Sequence, residues 1–142
     1  MICIERSQDS QLAPVIFQLL ERVYGTSPYQ LDQIVSDLAN PAVSYVLAWD
    51  GANMVGFLSY QETPFDLEIE HIALLPTYRG QGLGQDLLAV LPDKEVFLEV
   101  RESNLRAQAF YRKMGFETLS IRKAYYHNPS EDAIIMKREK HG

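Results

Sequence analysis

Residues 67–91 read LEIEHIALLPTYRGQGLGQDLLAVL and combine two patterns. The first eight residues begin with strict alternation of apolar and polar side chains, which predicts a strand at 67–74. Glycines at 80, 82 and 84 follow, and apolar residues at helical spacing then predict a helix over 83–91 that Pro92 ends. A glycine-rich turn into a helix exposes unpaired backbone N–H groups, so this segment predicts an anion-binding site.

Strand and helix patterns continue on both sides of this segment. Asp50-Gly51 is a turn signal between two strand-like stretches, and Ser27-Pro28 is a helix-start signal. The remaining predicted elements are strands at 2–6, 43–49, 53–60, 96–100, 116–122 and 133–137 and helices at 12–24, 28–38 and 104–114. The predicted order is therefore βααβββαβαββ, which is typical of an α/β protein.

Length and composition limit the class of protein. The 142 residues are 46% hydrophobic and 23% charged, which suits one compact domain over 1–142. No apolar run reaches the roughly 18 residues of a membrane span, and the start of the chain lacks a signal-peptide pattern. The single Cys3 has no disulfide partner, and we expect it in the core of the first strand. A net charge of −6 argues against a nucleic-acid-binding face, so we expect no nucleic-acid partner. Since the sequence also shows no membrane span or signal peptide and only one cysteine, we expect a cytoplasmic protein without a membrane partner.

The spacing of the glycines excludes two common phosphate-binding motifs. Gln85 stands where the dinucleotide fingerprint has its last glycine, and no Gly-Lys-Ser/Thr follows as in a P-loop. Counted from Arg79, the segment instead resembles the Arg/Gln-x-x-Gly-x-Gly/Ala signature of the GNAT acetyltransferases, after a strand that ends in Ile-Ala-Leu-Leu-Pro. The resemblance implies a single-domain GNAT fold. Its sheet is mixed, mostly antiparallel and flanked by helices, with a splay between the strands at 67–74 and 96–100. The alternative is a glycine-rich turn of purely structural role.

The same resemblance implies acetyl-CoA as the acetyl donor. We expect no metal, because the three histidines are scattered along the sequence and the carboxylates show no ligand spacing. The backbone N–H groups of the glycine loop, defined here as residues 79–84, would bind the pyrophosphate, and the end of the preceding strand would pair with the pantetheine arm. The cofactor-binding residues predicted in this way are Ile72, Ala73, Leu74, Arg79, Gly80, Gln81, Gly82, Leu83, Gly84, Asn104 and Tyr111. Asn104 is also a typical helix N-cap, and one side chain does not easily fill both roles.

A second group of similarities points to one branch of this family. Residues 98–104 read LEVRESN, residues 121–126 read IRKAYY and residues 131–136 read EDAIIM. All three resemble the ribosomal-protein-alanine N-acetyltransferases of the RimI type, and similarity extends over about residues 27–137. One departure lies between Leu91 and Glu95, where the chain is several residues shorter than the family, so the helix after the glycine loop is truncated.

Carried over to this chain, the catalytic residues of the family are Glu99 as general base and Tyr111 as general acid. They would serve the direct attack of an amine on the thioester in a ternary complex. Glu99 has the alternative of a solvated or salt-bridged strand residue, and Tyr111 that of an aromatic core residue. Glu68 and Glu70 are rival bases on the preceding strand, and we expect Glu68 to be simply solvated.

The predicted acceptor is the N-terminal alanine of a basic small-subunit ribosomal protein. At pH 7 an α-amine of pKa about 7.8 is roughly 10% neutral, whereas a lysine of pKa about 10.4 is under about 0.1% neutral. Candidate acceptor-binding residues are Tyr29, Glu70, His71, Tyr125 and Tyr126. One alternative is a small amine as acceptor, such as a polyamine, an amino acid or an aminoglycoside. The other is a non-catalytic acetyl-CoA-binding module, against which the presence of both Glu99 and Tyr111 argues.

Overall fold

The computed structural model describes residues 1–127 and 130–140, and its elements follow the predicted order. Short 3-10 turns lie at Ser10–Leu12 and Pro76–Tyr78. The strands and helices are β1 (Ile2–Arg6), α1 (Ala13–Tyr24), α2 (Leu31–Ala39), β2 (Val43–Asp50), β3 (Asn53–Glu62), β4 (Asp66–Leu74), α3 (Leu83–Ala89), β5 (Glu95–Arg101), α4 (Leu105–Lys113), β6 (Glu117–Tyr126) and β7 (Glu131–Arg138).

The strands form one mixed sheet in the order β1-β2-β3-β4-β5-β7-β6. β4 and β5 are parallel, whereas β1 with β2, β2 with β3, β5 with β7 and β6 with β7 are antiparallel. A mixed, mostly antiparallel sheet was predicted, and this prediction is confirmed. Within the described residues, the parallel ladder joins 66–68 to 95–97 although both strands run further, which agrees with the predicted splay.

The chain divides into two compact units. The first unit comprises residues 1–61 and 70–91, and the second comprises residues 62–69 and the chain from Pro92 onward. β4 contributes to both, since the division falls between Ile69 and Glu70.

In the first unit, helices cover a strongly apolar part of the sheet. β3 is buried without interruption from Met54 to Tyr60, which is the pattern of a strand whose two faces are both covered. α1 buries one stripe of side chains at helical spacing, namely Ala13, Ile16, Leu19 and Leu20. Full burial of a leucine or isoleucine contributes roughly 1.5–3 kcal/mol, so this stripe is enough to hold α1 in place.

Gly56 lets the end of β4 approach β3 closely in this unit. A Cβ placed on Gly56 would lie 2.5 Å from Leu74 Cδ2 and 3.0 Å from the Ala73 carbonyl oxygen. The Leu75 N–H donates to the Val55 carbonyl at 2.9 Å, which anchors the chain directly after β4. β4, which leads into the glycine loop, can therefore take this position only because residue 56 is a glycine.

In the second unit, β5 lies between β4 and β7 and alternates strictly between buried and half-buried residues. Val96, Leu98 and Val100 face the core, so Glu99 points to the opposite face, as predicted. α4 follows β5 and ends at Lys113, and Gly115 directly after the C-cap residue Met114 has a φ of +96°, which suits glycine.

Two local predictions are wrong. Ser27 does not cap α2, which begins after Gln30, because the Ser27 hydroxyl instead donates to the Tyr29 carbonyl and accepts from the Tyr29 N–H. Serine side chains often form such local turns in competition with helix starts. Cys3 is exposed rather than buried, since β1 is an edge strand that, among the described residues, pairs with β2 alone.

Candidate active site

The glycine loop leads from β4 into α3 and has an open backbone. Gly80 and Gly82 have φ angles of +75° and +82°, and Gly82 is the N-cap of α3 without a side-chain hydrogen bond to the helix. A Cβ on either glycine would meet nothing within 4 Å. The first N–H groups of α3 therefore lack a side-chain cap, next to a backbone that an anion could approach closely.

Side-chain hydrogen bonds are formed in and directly before the glycine loop. The Tyr78 hydroxyl donates to Asp50 Oδ2 at 2.6 Å, and Gln81 Nε2 donates to the Thr77 carbonyl at 2.9 Å. Leu83 and Gly84, two of the predicted cofactor-binding residues, are buried. They could therefore contact a cofactor only through their backbone groups. In β4, Ala73 is buried while Ile72 and Leu74 remain half-buried.

His71 is the centre of an aromatic cluster in the first unit. Its Nε2 lies 2.9 Å from the Tyr24 hydroxyl and its Nδ1 lies 3.3 Å from the Tyr29 hydroxyl, while the ring stacks on Phe57 at 5.7 Å. Burial lowers the pKa of His71 to about 4, so the ring is neutral at pH 7. One ring nitrogen then donates and the other accepts, which fixes His71 between two tyrosines. Sequence reasoning identified Tyr29 and His71 but missed Tyr24, whose only signal was its place at the end of α1.

Glu70 and Tyr29 also border a cavity in the first unit, which we call the α2 cavity. It has a volume of about 240 Å³ and is lined by α1, the segment before α2, α2 itself and strands β2, β3 and β4. The structure thus brings three of the five predicted acceptor-binding residues, Tyr29, Glu70 and His71, into one part of the first unit.

Glu99 lies in a cluster of charged and aromatic side chains in the second unit. Its Oε1 accepts a hydrogen bond from Arg122 at 3.0 Å, and its side chain is 24% exposed. Tyr125 lies beside the same carboxylate, and the Glu99 side chain is the main reason why the pKa of Tyr125 is raised. The Arg122 guanidinium lies over the Tyr125 ring at 4.6 Å. Sequence reasoning missed the role of Arg122, because its partner is 23 residues away along the chain.

Glu68 belongs to the same electrostatic neighbourhood. Its side chain is exposed, as expected, but partial burial raises the pKa of Glu68 and the charge of Glu99 raises it further. Arg122 acts in the opposite direction. Arg122 therefore forms an ion pair with Glu99 and also acts electrostatically on Glu68.

A bulge in β6 gives Tyr125 and Tyr126 their positions. The register with β7 shifts between Arg122 and Tyr126, and Ala124 has the unusual φ of +49°. The Ala124 N–H donates to Asp132 Oδ1 at 2.9 Å, which holds the bulge. Such bulges re-aim side chains, and this one gives the two adjacent tyrosines separate cationic partners, since Arg101 lies over the Tyr126 ring at 4.2 Å.

Tyr111 and Asn104 lie on and before α4. Tyr111 is 5% exposed and its ring contacts Phe110 and Phe116 at centroid distances of 5.4 and 5.5 Å. Asn104 is the N-cap of α4, and its side-chain oxygen accepts from the Ala107 N–H at 3.2 Å. Asn104 thus fills the capping role that the sequence offered as one of two alternatives.

The described residues contain neither a metal-binding cluster nor a membrane-spanning helix. Within residues 1–127 and 130–140, no group of three or more His, Cys, Asp or Glu side chains is arranged to hold a metal ion. In the same ranges, none of the helices is both long and apolar enough to cross a membrane.

Comparison with known proteins gives consistent matches. The family model described as "Acetyltransferase (GNAT) family" matches residues 13–116. The chain is 35% identical to the N-alpha-acetyltransferase RimI of Mycobacterium tuberculosis over 81% of this chain and 78% of that protein. It is 32% identical to the [ribosomal protein bS18]-alanine N-acetyltransferase of Escherichia coli (strain K12) over 87% of this chain and 88% of that protein.

Structural comparison agrees with the sequence matches. The crystal structure of the ribosomal-protein-S18-alanine N-acetyltransferase from Escherichia coli superposes with a TM-score of 0.86 at 29% identity, covering 100% of this chain and 97% of that chain. Relatives of greater length also occur, since the chain spans 34% of one uncharacterized Mycobacterium leprae protein.

Proposed function

This chain belongs to the GNAT acetyltransferase family and is an N-acetyltransferase, and we propose that it acetylates the N-terminal alanine of a small-subunit ribosomal protein. The observation that carries this proposal is the similarity to proteins named for that reaction over most of both chains. Direct attack of the amine in a ternary complex is the proposed chemistry, and the ribosomal acceptor would place the enzyme in the cytoplasm.

The geometry of the glycine loop fits the donor that this family uses, acetyl-CoA. Gly80 and Gly82 leave open space beside the backbone, and no side chain caps the start of α3. In the proposal, the N–H groups of residues 79–84 bind the pyrophosphate and residues 72–74 bind the pantetheine arm along β4. Bound acetyl-CoA supplies an activated acyl group as a thioester.

Glu99 is the proposed general base. The ion pair with Arg122 orients its carboxylate, and an ionised carboxylate has acceptor positions left for an ammonium group or a water molecule. Because roughly 10% of an α-amine is already neutral at pH 7, a base that acts through water is sufficient for this acceptor. The neighbouring Tyr125 and Tyr126 are proposed to line the path of the acceptor.

Tyr111 is the proposed general acid for the departing thiolate. An ordinary phenol has a pKa of about 10 and a thiol about 8.5, so full proton transfer is uphill by roughly 2 kcal/mol. We therefore assign Tyr111 a hydrogen bond that strengthens as the C–S bond breaks. Its packing against Phe110 and Phe116 would hold the hydroxyl in one position.

The test is thiol release from acetyl-CoA by the purified protein with a hexapeptide that carries the ribosomal N-terminus. We expect release that depends on the peptide and disappears when its α-amine is blocked in advance. Free polyamines, amino acids and an aminoglycoside are assayed in parallel. Turnover with one of these and none with the peptide would contradict the proposed acceptor, and acetyl-CoA binding without any turnover would favour a binding module.

A further inference from the structure

The Glu-Asp-Ala sequence at residues 131–133 begins β7, the strand that lies between β5 and β6. Ala133 is fully buried and lies directly opposite Arg101 on β5 and Arg122 on β6. Residues that are opposite each other in neighbouring strands share one face of the sheet, so the two arginines flank the small side chain of Ala133. These are the arginines that lie over the two tyrosine rings of the site. The start of β7 is therefore placed to act on both tyrosines.

Asp132 holds the bulge of β6. Its Oδ1 accepts from the Ala124 N–H at 2.9 Å, and its Oδ2 pairs with Lys123 Nζ at 3.2 Å. The hydrogen bond from Ala124 is the main reason why the pKa of Asp132 is lowered, so this carboxylate is ionised at neutral pH. Alanine rarely adopts a φ of +49°, and the bond to an ionised carboxylate stabilises Ala124 in this conformation. Asp132 thus fixes the backbone between Arg122 and Tyr125.

Glu131 holds the end of β5. Its carboxylate is 13% exposed, and it accepts from the Ser103 N–H at 3.0 Å and from Arg101 Nη1 at 3.1 Å. Hydrogen bonding by Ser103 is the main reason why the pKa of Glu131 is lowered. The Arg101 guanidinium lies over the Tyr126 ring at 4.2 Å, and Tyr126 is also the residue opposite Glu131 in the pairing of β6 with β7. Glu131 therefore fixes the cationic partner of Tyr126.

We propose that Glu131 and Asp132 are positioning residues for the acceptor, each of which fixes one tyrosine of the site. Asp132 acts on Tyr125 through the bulge of β6, and Glu131 acts on Tyr126 through Arg101. This assignment rests on the proposed function, which places both tyrosines along the path of the acceptor. Since neither carboxylate has a role in the chemical step, removal of either one should raise KM for the acceptor more than it lowers kcat.

The first experiment measures acetylation kinetics with the ribosomal hexapeptide. For Asp132→Ala we expect KM for the peptide to rise about fivefold or more, the effect of losing one ordinary hydrogen bond, while kcat and the Kd for acetyl-CoA stay near their wild-type values. Asp132→Asn keeps an oxygen that can accept from the Ala124 N–H, so it should restore most of the wild-type KM. Glu131→Gln keeps an acceptor for the Ser103 N–H but loses the ion pair, and should raise KM less than Asp132→Ala.

Two further variants separate the hydrogen bond of Asp132 from its ion pair. Lys123→Gln removes the ion pair alone and should leave KM unchanged, because the Lys123 side chain is 82% exposed. Ala124→Gly allows a φ of +49° without strain, so adding it to Asp132→Ala should bring KM back towards the wild-type value. Thermal melting checks that each variant folds. A lower melting temperature of Asp132→Ala with unchanged KM, or no rescue by Ala124→Gly, would overturn the proposal.

Measurements without turnover separate this proposal from the proposed function. Fluorescence anisotropy of the hexapeptide, labelled at its C-terminus, should show about fivefold weaker binding to Asp132→Ala whether or not the peptide is acetylated. Hydrogen exchange of the Ala124 amide, followed by NMR in the wild-type protein, should be slow although this residue is exposed. Rapid exchange of that amide, or equal binding of the peptide by both proteins, would overturn this proposal while peptide acetylation could still stand. Binding of the peptide with slow exchange but without acetylation would contradict the proposed function alone.

Discussion

Two strand–loop–helix segments of this protein, β4 to α3 and β5 to α4, begin their helices in opposite ways. α3 starts at Gly82 with no side-chain cap and with open space beside the backbone. α4 starts at Asn104, whose side chain already accepts from the Ala107 N–H. The first segment thus leaves backbone N–H donors available to a ligand, whereas in the second segment the Asn104 side chain already accepts from one of these donors.

The difference extends to the strands. β4 ends in Ile72, Ala73 and Leu74, which carry no ionisable groups, whereas β5 carries Glu99 and α4 carries Tyr111. The first segment is therefore suited to binding by the backbone, and the second to chemistry by side chains. Substitutions in the β5–α4 segment are therefore expected to affect kcat, and substitutions in the β4–α3 segment to affect the affinity for acetyl-CoA.

The largest expected effect is on β5. Glu99→Gln removes the proposed base while preserving shape, and we expect kcat to fall by roughly 10²–10⁴, the range that general acid–base catalysis contributes. Peptide-dependent thiol release measures it, with acetyl-CoA affinity expected to stay near the wild-type value.

Glu68→Gln is the matched comparison, because Glu68 lies close enough to Glu99 for the Glu99 carboxylate to raise the pKa of Glu68. We expect a smaller loss of kcat for this variant. A larger loss of kcat with Glu68→Gln than with Glu99→Gln would identify Glu68 on β4, not Glu99 on β5, as the general base. The side-chain chemistry would then belong to the β4 segment.

An intermediate effect is expected at the start of α3. Gly82→Ala puts a side chain on a residue with φ of +82°, which costs roughly 1–2 kcal/mol, and places a methyl group in the open space of the loop. We expect the Kd for acetyl-CoA, measured by calorimetry, to rise about tenfold or more, since one or two backbone hydrogen bonds to a charged group are weakened.

Gly25→Ala is the control for strain alone. Gly25 ends α1 with the same φ of +82° and also has nothing within 4 Å of a built Cβ. Gly25→Ala should lose at least as much stability as Gly82→Ala, because the ψ of −40° at Gly25 lies outside the left-handed region that Gly82 occupies with ψ of 3°. Gly25→Ala should nevertheless bind acetyl-CoA as the wild type does. Equal affinities of the two variants for acetyl-CoA would remove the glycine loop from the cofactor site.

The smallest expected effect is at the start of α4. Asn104→Ala removes an N-cap and should lower the free energy of unfolding by about 1 kcal/mol, whereas Asn104→Ser keeps a capping oxygen and should lower it less. Chemical denaturation measures both. Weaker acetyl-CoA binding by Asn104→Ser at unchanged stability would show that Asn104 contacts the cofactor besides capping α4. Both helix starts would then take part in cofactor binding.

Several features could be predicted because they depend on local chemistry. The order of strands and helices followed from side-chain periodicity, and the turns at Gly25, Gly51 and Gly115 from the preference of glycine for positive φ. Ser27 was assigned wrongly because a serine can close a turn or cap a helix with the same bond. Cys3 was assigned wrongly because alternation does not reveal that a strand lies at the edge of a sheet.

The sequence by itself determined the family, the open backbone of residues 79–84 and the facing of Glu99, since each depends on neighbours within a few residues. Only the tertiary structure decided that Arg122 pairs with Glu99, that two tyrosines hold His71, and that Asp37 and Glu70 share one cavity with Tyr45. These contacts join residues distant in the chain, and the packing of strands and helices that brings them together has no signature in a single sequence.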